Sequence, residues 1–81
     1  MYFVYLLRCK DGSLYCGQTN NLKKRLKEHN SRTSRSAKYT KGRQPVTLVY
    51  IDKTKTRSQA LRREYEIKQL TKKQKEALTK T

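Results

Sequence analysis

From Tyr2 to Cys9 the chain is apolar at most consecutive positions, on both alternating faces of an extended segment. That pattern predicts a strand covered on both sides. Lys10-Asp11-Gly12-Ser13 carries an Asp-Gly turn signature, and Leu14 to Thr19 reads as a second strand closing a hairpin. Asn20 suits an N-cap, and Asn21 to about Asn30 reads as a helix. Residues 31–45 combine Ser, Thr, Gly and basic groups and read as a long loop. Pro45 then introduces a third strand, Val46 to Asp52. Thr56 with Gln59 forms a capping-box pattern opening a helix to about Leu70. Thr71 with Gln74 repeats it, predicting a break and a short final helix to about Leu78. The order is β-β-α-β-α-α, an α+β arrangement in one domain over residues 1–81, with an ordered core of about 2–78.

The helices carry charged groups on their apolar stripes. At about 100° per residue from Leu22, Leu26 falls near 40°, His29 near −20° and Arg25 near −60°. Lys23, Lys24, Lys27 and Glu28 face away and read as a solvated face able to meet phosphates. Counted from Ala60 at about 100° per residue, Ile67 lies near −20°, Glu64 near 40° and Lys68 near 80°. Burying a carboxylate or guanidinium without a partner costs several kcal/mol, so such placement calls for a reason. Three readings stand: an Arg25–Glu64 ion pair fixing helix packing, a Glu64–Lys68 contact along one helix, or Glu64 on a metal with Arg25 facing a phosphate.

Two tyrosines, Tyr5 and Tyr15, lie on the hairpin beside an intrastrand glycine, Gly17, of the kind that marks a bulge or a close approach by another backbone. An even-length loop would put the tyrosines on opposite faces. A three-residue loop, Asp11-Gly12-Ser13 with Gly12 left-handed, would set Tyr5 opposite Thr19 and Leu7 opposite Gly17, on a shared face.

Charge narrows the function. Lys and Arg number 21 against 6 Asp and Glu, a formal net charge of +15, while the hydrophobic fraction is 33%. Self-repulsion on that scale implies a polyanionic partner, and nucleic acid is the commonest. A membrane surface is the rival, but the helices lack a continuous Trp/Phe/Leu face. Residues 1–20 carry only +1, whereas residues 21–45 carry +8 with Glu28 the sole acid. Lys23, Lys24 and Lys27, with Arg35, Lys38 and Tyr39 of the long loop, are therefore the candidate nucleic-acid contacts. Cys9, Cys16 and the single His29 do not match a zinc spacing, and the two cysteines read as reduced and buried in a cytoplasmic protein. Neither a signal peptide nor a membrane span is expected, and no obligate protein partner is indicated.

Phe3-Val4-Tyr5, Tyr15-Cys16-Gly17 ten residues on, Arg25 and His29 on one helix and Glu64 on a later one together resemble the GIY-YIG nuclease superfamily. The likeness is to its small single-domain bacterial branch, of largely unassigned function; Lys38-Tyr39-Thr40, Pro45 and the Glu64–Lys68 segment share it. The resemblance implies a three-stranded antiparallel sheet flanked by helices, and a metal-dependent endonuclease cleaving DNA phosphodiester bonds in repair or recombination. It also implies one divalent cation, usually magnesium, held by Glu64. Arg25 would stabilise charge developing on the phosphate, Tyr5 or Tyr15 would activate or orient water, and His29 would assist proton transfer. Gly17 would let the substrate backbone come close.

The chemistry fits: a guanidinium and a metal stabilise a phosphodiester transition state, and a tyrosine of pKa about 10 acts as a base only if cations depress it. Phe3 stands in place of the first motif's glycine and Cys16 in place of the second's isoleucine. No asparagine follows Asn30, whereas competent relatives commonly use one beyond the metal-binding glutamate; Glu76 falls near that place. That absence motivates the alternative, a non-catalytic DNA- or RNA-binding module that keeps the fold. Larger relatives append a target-selecting domain, and none is expected here.

Overall fold

The doubly apolar first strand becomes the centre of the sheet. In the computed structural model, which describes residues 1–31 and 42–80, β1 (Tyr2–Arg8) lies between β2 (Leu14–Thr19) and β3 (Thr47–Thr54), antiparallel to both. Helices α1 (Leu22–His29), α2 (Arg57–Lys68) and α3 (Lys72–Leu78) complete the expected order. The family's three-stranded antiparallel sheet flanked by helices is therefore present.

Each face of β1 has its own core. Val4 and Leu6 pack with Cys16, Ala60 and Ile67 under α2, joined by the half-buried Val49, Tyr50 and Leu78. Tyr5, Leu7 and Cys9 pack with Val46 on the other side, where Leu22 and Leu26 of α1 cover them. Leu48 and Tyr50, two residues apart, would ordinarily share a face. A shift in β1–β3 pairing between Leu6 and Leu7 makes Val49 an extra residue, so Leu48 turns to the α1 side and Tyr50 to the α2 side.

The hairpin turn is one residue earlier than expected. Cys9 N–H donates to the Ser13 carbonyl (2.9 Å) and Gly12 N–H to the Cys9 carbonyl (2.9 Å), leaving Lys10-Asp11-Gly12 as the loop. Gly12 is left-handed at φ 85°, the conformation a three-residue hairpin loop requires there. The odd parity survives, so Tyr5 and Tyr15 share a face. The register does not: Tyr5 faces Gly17 rather than Thr19, and Leu7 faces Tyr15.

The caps follow side-chain chemistry. Both capping boxes form, with Thr56 and Thr71 accepting from Gln59 N–H and Gln74 N–H (3.1 and 3.2 Å). For α1 the cap is Asn21, not Asn20, and its side chain accepts from Lys24 N–H at 3.1 Å. Thr19 Oγ1 takes the Asn21 N–H (3.1 Å), so the chain turns one residue later.

Candidate active site

The odd register lines one face of the hairpin with Tyr5, Tyr15 and Gly17, and α1 lays His29 against them. The His29 side chain is fully buried, the one buried residue of that helix. Its Nε2 lies 2.8 Å from the Tyr5 hydroxyl, a buried hydrogen bond whose direction follows the imidazole tautomer. The Tyr15 ring sits tilted at 5.1 Å from the imidazole, and the Tyr5 ring edge-on at 5.8 Å.

Burial dominates the protonation of this cluster. It pulls His29 down to about 4, helped by the Arg25 charge and opposed by Glu28, so the imidazole is neutral near pH 7. Burial also pushes the Tyr5 phenol well above the usual tyrosine range; Tyr15 adds to the rise and Arg25 only partly offsets it. The sequence-based condition for a tyrosine base, depression by cations, therefore fails at Tyr5. Desolvation outweighs the guanidinium.

Gly17 is needed by the protein itself. A Cβ there would lie 2.6 Å from the Tyr5 hydroxyl oxygen, 2.8 Å from Cζ and 3.1 Å from Tyr15 Cε2. The close approach expected at this glycine is made by a phenol of the neighbouring strand.

Arg25, one turn before His29, is half-buried and donates from Nη1 to Glu28 Oε1 at 3.1 Å. Glu28 thus belongs to the site's flank rather than to the solvated face, where Lys23, Lys24 and Lys27 do stand exposed. Arg35, Lys38 and Tyr39, with the Lys38-Tyr39-Thr40 segment, lie outside the described residues.

Two positioning side chains escaped sequence reading. Asn30 Nδ2 donates to the Val46 carbonyl (3.1 Å) while its Oδ1 accepts Val46 N–H (2.7 Å), tying the end of α1 to the segment entering β3. Gln44 Nε2 donates to the His29 carbonyl (2.5 Å) and to that of Ser31. Both hold the backbone that carries His29. An amide residue beside a helix end was the available signal, but its partner lies 16 residues away.

Glu64 stands apart. It projects from α2 beside β2 on the opposite face of the sheet, where the Cys16 thiol lies 4.0 Å from its backbone carbonyl. Its carboxylate pairs with Lys68 Nζ at 3.3 Å, the contact along one helix that was one of the three readings. Its charge still reaches Tyr5, where it opposes ionisation. Glu76, near the place of the relatives' asparagine, is held in a two-pronged pair by Arg8, both contacts 2.6 Å.

Among the described residues no three His, Cys, Asp or Glu side chains cluster as metal ligands. A magnesium ion keeps several waters and takes phosphate oxygens, so one or two carboxylates suffice. Glu64, with a side chain 17% exposed and paired among the described residues with the half-exposed Lys68, fits as a sole protein ligand. No helix among the described residues is long and apolar enough to cross a membrane.

Comparison with known proteins bears on the family and the fold. Residues 1–77 match the sequence model of the GIY-YIG catalytic domain. A UPF0213 protein of Clostridium perfringens is 55% identical over 75 residues, spanning 93% of this chain and 78% of its own. One from Halobacterium salinarum is 49% identical, spanning 96% and 99%. The solution NMR structure of a UPF0213 protein from Bacillus halodurans matches at a TM-score of 0.61 and 43% identity, over 99% of this chain and 84% of that one.

Proposed function

Because the chain belongs to the GIY-YIG catalytic-domain family, we propose that it is an endonuclease hydrolysing DNA phosphodiester bonds, in repair or recombination-like processing in the cytoplasm. The observation that carries this reading is the convergence of Tyr5, Tyr15, Gly17, Arg25 and His29, from two strands and a helix, around one buried Tyr5–His29 hydrogen bond. An apolar core would have served stability more cheaply than this polar cluster.

The residues divide the work. Tyr5 stays protonated and fixes the His29 ring. Tyr15, only half-buried, is the phenol that meets and orients the attacking water. His29, neutral near pH 7, takes the Tyr5 proton as Tyr5 accepts one from the water whose oxygen bonds to phosphorus, while the leaving oxygen takes a proton from solvent. Arg25 stabilises the charge gathering on the phosphoryl oxygens, and Lys23, Lys24 and Lys27 hold the flanking backbone. A magnesium ion on Glu64, whose charge reaches Tyr5 from the α2 side, would supply further charge neutralisation.

With magnesium the protein is expected to nick branched, single-stranded or duplex DNA. Arg25→Ala and Glu64→Ala should each lower the rate by about 10²–10³, with unchanged circular dichroism. Nicking that persists in Glu64→Ala would contradict the assignment.

The Lys68–Glu64 pair favours a second reading, a DNA- or RNA-binding module without chemistry, since it occupies the carboxylate a metal would need. That reading predicts salt-dependent binding indifferent to magnesium and to Tyr5→Phe.

A further inference from the structure

The side of α2 that faces away from β3 is the least explained surface of the molecule. Arg63 donates to Asp52 Oδ2 (2.8 Å) and to the Tyr50 hydroxyl (3.4 Å), both on β3. At about 100° per residue from the buried Ala60, Arg63 lies near −60°, so negative angles look over β3. Glu64, Arg57, Lys68, Leu61 and Tyr65 lie between about 40° and 140°, on the β2 side. The contact of Cys16 with the Glu64 carbonyl confirms that side, because Cys16 belongs to β2.

β2 is one of the sheet's two edge strands, and α2 and α3 flank a seam along its open side, where Cys16 meets the Glu64 carbonyl and Leu14 lies beside Lys72 and Lys75. A recess of about 330 Å³ opens at one end, lined by Tyr2, Gln18, Thr19, Asn20 and Arg57. A second, of about 190 Å³, opens at the other, lined by Ser13, Leu14, Lys72 and Lys75. Glu64 lies between them. On the lip stand two large side chains with no core to fill, Tyr65 at 66% exposure and Leu61 at 44%.

We infer that this seam is a binding track for a single-stranded polynucleotide, passing from the Arg57 recess across Glu64 to Lys72 and Lys75. The inference rests on the hydrolytic reading for its direction past Glu64, but its binding claim stands on this surface alone. Four cations face the seam with Glu64 the one acid among the residues named, which suits a phosphate backbone. An exposed phenol beside them offers a face on which an unpaired base stacks, independent of sequence. The Arg57 recess joins a guanidinium, a phenol and the amides of Gln18 and Asn20, groups that hydrogen-bond the edges of a base freed from its partner. Bases of a duplex are already stacked and paired and cannot use either feature. The lysines of α1, on the other side of the sheet, would hold paired DNA equally well.

The test is anisotropy of a labelled 12-nucleotide single strand and of the matching duplex, without metal, titrated with wild-type protein, Tyr65→Ala, Tyr65→Phe and Arg57→Gln/Lys72→Gln/Lys75→Gln. Tyr65→Ala should weaken single-strand binding about tenfold, within the range for loss of one stacked base, and Tyr65→Phe should restore it. The triple variant should lose more and show a shallower salt dependence. Duplex affinity should change less than threefold in Tyr65→Ala. Equal losses for strand and duplex, or unchanged single-strand affinity in both variants, would overturn the track. Protein that cleaves yet fails this test leaves the hydrolytic reading standing; protein that passes yet never nicks DNA leaves the track and removes the nuclease.

Discussion

The two faces of the central strand are built from opposite materials. Under α2, Val4, Leu6, Cys16, Ala60 and Ile67 form an apolar core, and its charged pairs, Arg8–Glu76 and Arg63–Asp52, stay at the half-exposed margin. Under α1, the same strand's alternate residues meet a fully buried histidine, two tyrosines and a glycine stripped of any side chain. One face holds the fold together. The other carries polar groups whose burial is tolerable only because each has a partner: among the described residues no buried side-chain nitrogen or oxygen lacks one. The apolar core and the polar cluster are thus separated by the sheet, while Glu64, the proposed metal ligand, stands on the α2 side.

That division can be broken from either side. Truncating the apolar face should have the largest effect on stability: Leu6→Ala, at a fully buried site, is expected to cost about 2–5 kcal/mol in urea denaturation. The environment of His29 should change little in whatever protein remains folded. A loss below about 1 kcal/mol would mean that the α2 face is not the mechanical core.

Gly17→Ala attacks the polar face instead. Its Cβ would press on the Tyr5 phenol, with an expected cost of about 1–3 kcal/mol and disruption of the Tyr5–His29 bond. Stability at the wild-type level with an intact His29 signal would show that the phenol can step aside.

The smaller effect is one of pH. His29 is held lower in the folded protein, about 4, than its ordinary value near 6.5. Between those values the unfolded chain binds the extra proton, so stability rises with pH there. The contribution is complete above about pH 6.5 and is lost as pH falls toward about 4, on the order of 1–3 kcal/mol. Urea midpoints from pH 7.5 to 4 should fall in wild type and fall less in His29→Gln. Parallel curves would sink this attribution.

Much of this was legible along the chain because its determinants are local. Periodicity and capping chemistry fix α2 and α3 within a few residues of Thr56 and Thr71, and angular position alone marks Arg25, His29 and Glu64 as misplaced on their stripes. The hairpin shows where locality ends. Parity follows from an odd loop, but the choice of Lys10-Asp11-Gly12 over Asp11-Gly12-Ser13 depends on which pair closes the turn, and that moved Tyr5 from Thr19 to Gly17. The partner of Glu64 was among the alternatives but not decided, since Lys68 and Arg25 are both cations within plausible reach until β2 places the helices on opposite faces. Arg8–Glu76, 68 positions apart, and the Asn30–Val46 tie depend on packing between distant elements, which no local pattern encodes.

His29 is the chain's single histidine, so its imidazole carbon-bound protons give an unambiguous nuclear magnetic resonance titration. A buried, neutral imidazole joined to Tyr5 predicts a midpoint near 4, shifted in Tyr5→Phe. A midpoint near 6.5, unmoved by removing the Tyr5 hydroxyl, would mean a solvated ring and contradict the polar face as described.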